Sequence, residues 1–214
     1  MRFASHAIAS SFAAALLAVP VPTPAGSIMG SVHDFTRFAW SGGQVCVPCH
    51  SSRSANSSVT IVPMWSHELS KQTYTLYGSA TMKAAVGQPG QVSRLCLSCH
   101  DGTVAVDSYG GSTGTQYVPS RANLGTTLLD DHPIGFVYDS ALAAADGSLF
   151  DPAARTVTIG TGGQSQTGTL TELLLYNGQL ECTSCHDPHN ALTVGAGALL
   201  KMDQAAICGA CHRK

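Results

Sequence analysis

Cys46-Val47-Pro48-Cys49-His50, Cys96-Leu97-Ser98-Cys99-His100, Cys182-Thr183-Ser184-Cys185-His186 and Cys208-Gly209-Ala210-Cys211-His212 are four copies of one five-residue motif. Together they use all eight cysteines of the 214-residue chain. In a helical turn residues i and i+3 share a face. Each pair of sulfurs therefore points the same way, and the histidine that follows presents a ring nitrogen beside them. Three chemistries use cysteines so spaced. Thiolates and imidazoles close zinc tetrahedra, an exported chain can build a disulfide framework, and C-x-x-C-H attaches c-type haem. Zinc modules do not demand a histidine directly after every second cysteine. Disulfides demand no histidine, and an i, i+3 bridge closes a loop too short to constrain the unfolded chain. The repeated pentapeptide therefore predicts four covalently attached haem c groups, held at Cys46, Cys49, Cys96, Cys99, Cys182, Cys185, Cys208 and Cys211.

The N-terminus reads as a secretory leader. Arg2 supplies the positive end, Ile8 to Val19 is a small-residue apolar run, and Thr23-Pro24-Ala25 offers a cleavage site before Gly26. The run is interrupted by Ser10 and Ser11 and stops at Pro20, short of a membrane span. The expected organisation is a signal peptide over 1–25 and a single domain over 26–214, secreted to the periplasm or beyond. No later segment approaches membrane-spanning length. Export suits c-type haem, which bacteria attach outside the cytoplasm.

Four haems on the mature chain leave about 47 residues for each, too few to enclose every porphyrin in an ordinary core. The haems must then form much of the core, and folding is coupled to their attachment. Only 11% of residues are charged and 44% are hydrophobic, so the chain is neither strongly charged nor short of core material. Loss of Arg2 with the leader takes the formal charge from −2 to about −3, and haem propionates add to it. No basic face exists for nucleic acid. Arg37, Arg53, Arg94, Arg121 and Arg155 are candidates to hold propionates, a geometry that suits the guanidinium fork.

Nine histidines are present. His6 leaves with the leader, and His50, His100, His186 and His212 are the motif ligands. His33, His67, His132 and His189 remain, four sixth ligands for four irons. The count predicts bis-histidine coordination throughout, with no open position. Asp34 and Asp131, beside His33 and His132, are candidate partners for the non-ligating ring nitrogens. Methionine is the rival sixth ligand, but Met29, Met64, Met82 and Met202 read better as fillers around porphyrin faces. His189 lies three residues after His186, too close to pass around the same porphyrin. It must serve another iron, which makes two haems close neighbours.

Between the motifs, Ser108 to Ser120 reads as a loop and Asp130-Asp131-His132-Pro133 as a ligand-bearing turn. Thr156 to Ile159 and Thr169 to Thr171 read as a small hairpin around a Gly160 to Gly168 turn. Leu199 to Ala206 reads as a short helix leading into the last motif.

Val32-His33-Asp34-Phe35, Pro63-Met64-Trp65-Ser66-His67, Leu95 to Thr103, Asp131-His132-Pro133-Ile134 and Cys185-His186-Asp187-Pro188-His189 occur in that order. With the four motifs they resemble tetrahaem c-type cytochromes of the doubled C-x-x-C-H pattern, including the OmcE-type extracellular filament-forming cytochromes. The resemblance implies a multihaem cytochrome c fold, mostly irregular and loop-rich. Short helices would carry the motifs and a small β-hairpin would complete a wrapping around a stack of four haems. In one respect the chain departs from that pattern. The family's first motif often continues to a further histidine three residues on, where this chain has Arg53, and His67 is the natural replacement.

The expected function is electron transfer by an exported tetrahaem bis-histidine cytochrome. As a head-to-tail filament subunit it would pass electrons along the polymer, to other redox cytochromes or extracellular acceptors. A discrete periplasmic shuttle is the alternative, and a multihaem reductase the third class, since that chemistry needs an exchangeable iron site. His33 is seven residues after the expected mature start, on a segment (26–43) with little apolar material to anchor it. Such a segment can cross to a neighbouring subunit, as in domain swapping, or fold back onto its own.

Overall fold

A computed structural model describes residues 27–194 and 198–213. The expected leader, 1–25, lies outside the described residues.

Each motif closes on the histidine amide bonded to the carbonyl of the first cysteine, as an isolated turn in the first motif and within a helix in the other three. These bonds are 2.8 Å for His50 to Cys46, 3.1 Å for His186 to Cys182 and 3.0 Å for His212 to Cys208. The second motif ends a longer helix, α1 (Gln91–His100), whereas Cys182–Cys185 is itself the short helix α4. The fourth closes α5 (Gln204–Cys211). That helix begins later than the sequence predicts. Asp203 accepts from the amide of Ala205 at 2.9 Å and so fixes the start as an N-cap. Leu199 to Lys201 pair instead with the third motif, through Asp187 N to Leu199 O at 2.8 Å and Lys201 N to Cys185 O at 2.9 Å.

Regular structure elsewhere is sparse. Three two-stranded pairings occur among the described residues. β1 (Thr75–Leu76) runs parallel to β2 (Thr127–Leu128), and β3 (Phe136–Val137) antiparallel to β6 (Gln179–Leu180). The predicted hairpin is present as β4 (Thr156–Ile159) against β5 (Gln166–Thr169), with Thr156 opposite Thr169. Its second strand begins and ends earlier than expected, because Thr169 also caps the short helix α3 (Leu170–Leu173). The Thr169 hydroxyl accepts from Glu172 N at 3.3 Å while the Glu172 carboxylate accepts from Thr169 N at 2.8 Å. Thr169-x-x-Glu172 is a capping box that the sequence displays openly.

The larger apolar cluster joins Phe136, Tyr138, Val157, Ile159, Leu170 and Leu174 on the inner face of the hairpin and behind the last motif. Helix α2 (Ser140–Asp146), capped by Asp139 on the amide of Leu142 at 2.8 Å, contributes Ala143 to it. A smaller cluster of Tyr74, Leu97 and Leu128 backs α1. The two are small for a chain of this length, which accords with a loop-rich cytochrome.

The N-terminal segment is better anchored than its sequence indicates. Phe35 packs on Trp40 at 5.3 Å between centroids, Trp40 meets Tyr109 at 6.1 Å, and the Tyr109 hydroxyl donates to Trp40 O at 2.5 Å. Asn190 Nδ2 donates to Ser27 O at 2.7 Å. Aromatic stacking supplies what the shortage of aliphatic residues leaves out, and the segment folds back on its own chain.

Candidate haem sites

Eight histidines lie in the described region, and six of them meet in pairs. His33 faces His100 with ring centroids 6.1 Å apart. His189 stacks on His50 at 6.2 Å and 25°, and His132 meets His212 at 6.3 Å and 73°. Every pair joins one motif histidine to one histidine from outside the motifs. An imidazole nitrogen bonds a transition metal at about 2.0 Å, which sets two trans rings about 6.2 Å apart between centroids. The three separations match that span, so these residues fit an iron held from both sides.

Ring orientation points the same way. His50 Nδ1 faces Pro63 O at 2.7 Å, His100 Nδ1 faces Ala122 O at 2.8 Å, and His186 Nδ1 faces Ala198 O at 2.7 Å. His132 Nδ1 faces Pro133 O at 3.0 Å and His33 Nδ1 faces Pro188 O at 3.4 Å. A carbonyl acceptor fixes the proton on Nδ1, so Nε2 carries the lone pair a metal needs. The sequence offers Asp34 and Asp131 for this task, but main-chain carbonyls perform it. Asp34 is spent on the local turn, where it accepts from Gly30 N at 2.7 Å and Thr36 Oγ1 at 2.6 Å.

The pairing crosses between motifs. His189, immediately after the third motif, is delivered to the first motif's histidine, which is the relationship its spacing to His186 requires. His33 is delivered to His100, of the second motif, and its Nδ1 rests on the carbonyl of Pro188, the neighbour of His189. These contacts tie the first two motifs to the third.

The cysteines continue the same order. Helices α1 and α4 pack together, which brings Cys96 of the second motif beside Cys182 of the third, and this neighbour and burial raise the Cys96 thiol. Cys49 lies close enough to Cys99 to help raise it, after burial. Burial, then Cys185, pushes Cys211 up to about 11. Neighbouring motifs thus lie near one another in chain order. No two of the eight cysteines are joined in a disulfide, and burial pushes Cys49 to about 11. Burial at Cys49, Cys99, Cys185 and Cys211 disfavours a charged thiolate and suits an uncharged thioether. No group of three or more potential metal-binding side chains occurs among the described residues.

Three buried donors have no partner among the described residues: Trp40 Nε1, Trp65 Nε1 and Arg155 Nε. Buried donors are rarely left unpaired, and each of these stands near a motif or its partner. Trp65 lies edge-on to His50 at 5.9 Å, Trp40 adjoins Phe35, which in turn meets His33 at 6.3 Å, and Arg155 Nη2 donates to Gly209 O at 3.4 Å. Haem propionates are acceptors of the kind these donors want. Among the five arginines the sequence nominates, only Arg155 has such a donor. Arg37 lies over the Phe38 ring at 5.3 Å, and Arg94 Nη1 donates to Ser70 O at 3.5 Å. Arg53 and Arg121 are exposed. The two tryptophans were missed in the sequence because neither lies within a motif.

His67 and His186 are not brought together. His67 is 2% exposed. Its Nδ1 faces Glu68 O at 2.8 Å, and its Nε2 lies 3.0 Å from Ala105 O and 3.4 Å from Cys99 Sγ. Burial lowers its pKa, against the pull of the Glu68 and Ala105 carbonyls, so the ring is neutral at pH 7. It sits at the sulfur edge of the second motif rather than across from any motif histidine. The His186 ring is exposed and makes no ring contact among the described residues.

Residues 176–214, which hold the last two motifs, match the family described as the doubled CXXCH motif. No curated protein matches the chain. No helix among the described residues is long and apolar enough to cross a membrane. The match indicates a haem-binding region of the c-type cytochrome kind over that segment.

Proposed function

We propose that the chain is an exported tetrahaem c-type cytochrome that passes electrons along haems held at its four motifs. The observation that carries this reading is the set of three histidine pairs at 6.1, 6.2 and 6.3 Å, each joining a motif residue to an outside one. Thioethers would form at the eight cysteines. His50 with His189, His100 with His33, and His212 with His132 would hold three irons, and His186 the fourth. The bound group supplies one-electron chemistry, with a potential set by its axial ligands and burial. This chain's residues orient the rings through main-chain carbonyls, bring successive motifs into contact, and place buried donors for propionates. Mass spectrometry of the mature protein tests the stoichiometry, with four haem additions expected. A potentiometric titration that accounts for four electrons per chain tests the function.

Head-to-tail assembly into an extracellular filament is the second reading. It is supported by the family resemblance and by the exposed apolar side chains of Met29, Val32 and Phe38, at 62%, 54% and 39%. All three lie within ten residues of sequence and leave large apolar side chains exposed, the material of an interaction site. The position of His33 against His100 of its own chain favours the discrete carrier over a swapped N-terminal ligand. Electron microscopy of the secreted fraction separates the two, with dispersed particles expected of the carrier and filaments of the polymer.

A further inference from the structure

Glu181 lies directly before the third motif and is 2% exposed. A buried carboxyl is costly unless its oxygens are hydrogen-bonded, and this one is tied to two helices at once. The Ser93 hydroxyl of α1 donates to Glu181 Oε2. The same Ser93 oxygen accepts from the amide of Cys182, the first residue of α4, at 3.0 Å. Glu181 N in turn donates to Ser184 Oγ of α4 at 2.9 Å. Both serines are buried, so the bonds form one enclosed chain from the third motif to α1. Glu181 makes no ion pair among the described residues, and its hold on α1 is through hydrogen bonding.

The place of this cluster relative to the cysteines gives it a role. Ser93 is three residues before Cys96, on the same face of α1, and Glu181 adjoins Cys182. The bonds therefore fasten together the two cysteines that stand beside each other across the α1–α4 contact. Gly90, the residue before α1, admits the carboxyl by having no side chain, since an added Cβ would overlap Glu181 Oε1.

We propose that Glu181, acting with Ser93, is a positioning residue for the electron step between the second and third motifs. It fixes the haem at Cys96 and Cys99 against the haem at Cys182 and Cys185. The proposal rests on the reading of both motifs as covalent haem sites. In that step one electron leaves one iron and arrives at the other, with no bond made or broken, so the protein's contribution is placement. Thioethers at Cys96 and Cys182 would put the attachment edges of the two haems side by side. Buried hydrogen bonds behind a site are what hold such an arrangement to one geometry.

Nuclear Overhauser contacts between the methyl groups of these two haems, measured on the fully reduced holoprotein, test the proposal. The wild type should show them, and Glu181→Ala and Ser93→Ala should each lose or shift them. Thr169→Ala removes the capping box of α3, away from this junction. It should lower the melting temperature and leave the contacts intact. Contacts unchanged in Glu181→Ala overturn the proposal, as does their absence from the wild type. The same change in Thr169→Ala overturns it too, because Glu181 would then be a general support of the fold. Should Glu181→Ala fail to fold, Ser93→Ala decides by the same criterion. Peptide masses report haem on residues 96–100 and 182–186 separately. Absence of either haem removes the underlying reading and the proposal together, whereas both haems present with unmoved contacts removes the proposal alone.

Discussion

His189 stacks on His50, with 6.2 Å between ring centroids and 25° between planes, although His189 is three residues from His186 and 139 from His50. One short run, His186-Asp187-Pro188-His189, therefore serves two motifs. Its rigidity has visible causes. Asp187 is buried and its carboxylate accepts from the amides of His189 at 3.0 Å, Ala191 at 2.8 Å and Leu192 at 2.8 Å. Pro188 fixes its own φ and offers its carbonyl to His33. The turn holds two histidines at a set angle and receives a third.

The first prediction concerns His33. Because its ring meets His100 of the same chain, His33→Ala should open one iron within each molecule and leave the assembly state unchanged. Sedimentation velocity and spin quantitation on the same sample read both. Loss of a polymer together with one ligand would instead place His33 in a neighbouring subunit.

The second concerns Asp101, directly after the second motif. Burial alone would raise its carboxyl, but hydrogen bonds from Ser70, Thr103 and Tyr74 outweigh burial and hold it below the usual range. The Tyr74 hydroxyl donates at 2.7 Å and Thr103 N at 2.8 Å. A carboxylate with a depressed folded pKa contributes stability above its unfolded value of about 3.9, and that contribution is lost as pH falls through the folded value. Asp101→Asn should therefore cost about 1–3 kcal/mol at pH 7 in urea unfolding. The gap from the wild type should narrow below about pH 4. A gap constant with pH would contradict the account.

The third concerns Gly135, which sets the chain from His132 into β3. It has φ +76°, and an added Cβ would lie 3.0 Å from the carbonyl oxygens of both Gly87 and Gln88. Both oxygens belong to the backbone of one segment, which cannot move aside as a side chain would. Gly135→Ala should lower stability by about 1–3 kcal/mol, read as a drop in melting temperature. It should also loosen His132, read as a larger high-spin fraction. Neutral behaviour in both would mean that the turn does not position the ligand.

Much of this was legible in the sequence. The motifs, the supply of histidines and the reach of His189 to another motif follow from spacing alone, because covalent geometry limits what three residues can span. The hairpin is legible in Thr156 to Ile159, but its second strand ends earlier than the strand pattern suggests, because Thr169 and Glu172 close a capping box there. What spacing does not encode is partner choice. His33 and His67 look alike as histidines in polar loops. The first is carried to His100 by stacking among Phe35, Trp40 and Tyr109, and the second is enclosed beside Cys99 by loops remote in sequence. The carbonyl acceptors at Pro63, Ala122 and Ala198 are equally invisible, since any residue type carries one. Asp34, nominated for adjacency, shows how weak adjacency is when the side chain has a closer local turn to close.

The central claim is that the histidine pairs are axial pairs across motifs, and His189→Ala tests it most directly. Spin quantitation and carbon monoxide titration of the variant, against the wild type, should each rise by one per chain while the mass still shows every haem in place. The new five-coordinate centre should belong to the first motif, so adding His50→Ala in the same background should create no second open centre. An unchanged low-spin population in His189→Ala would contradict the pairing of His50 with His189 and the relay built upon it.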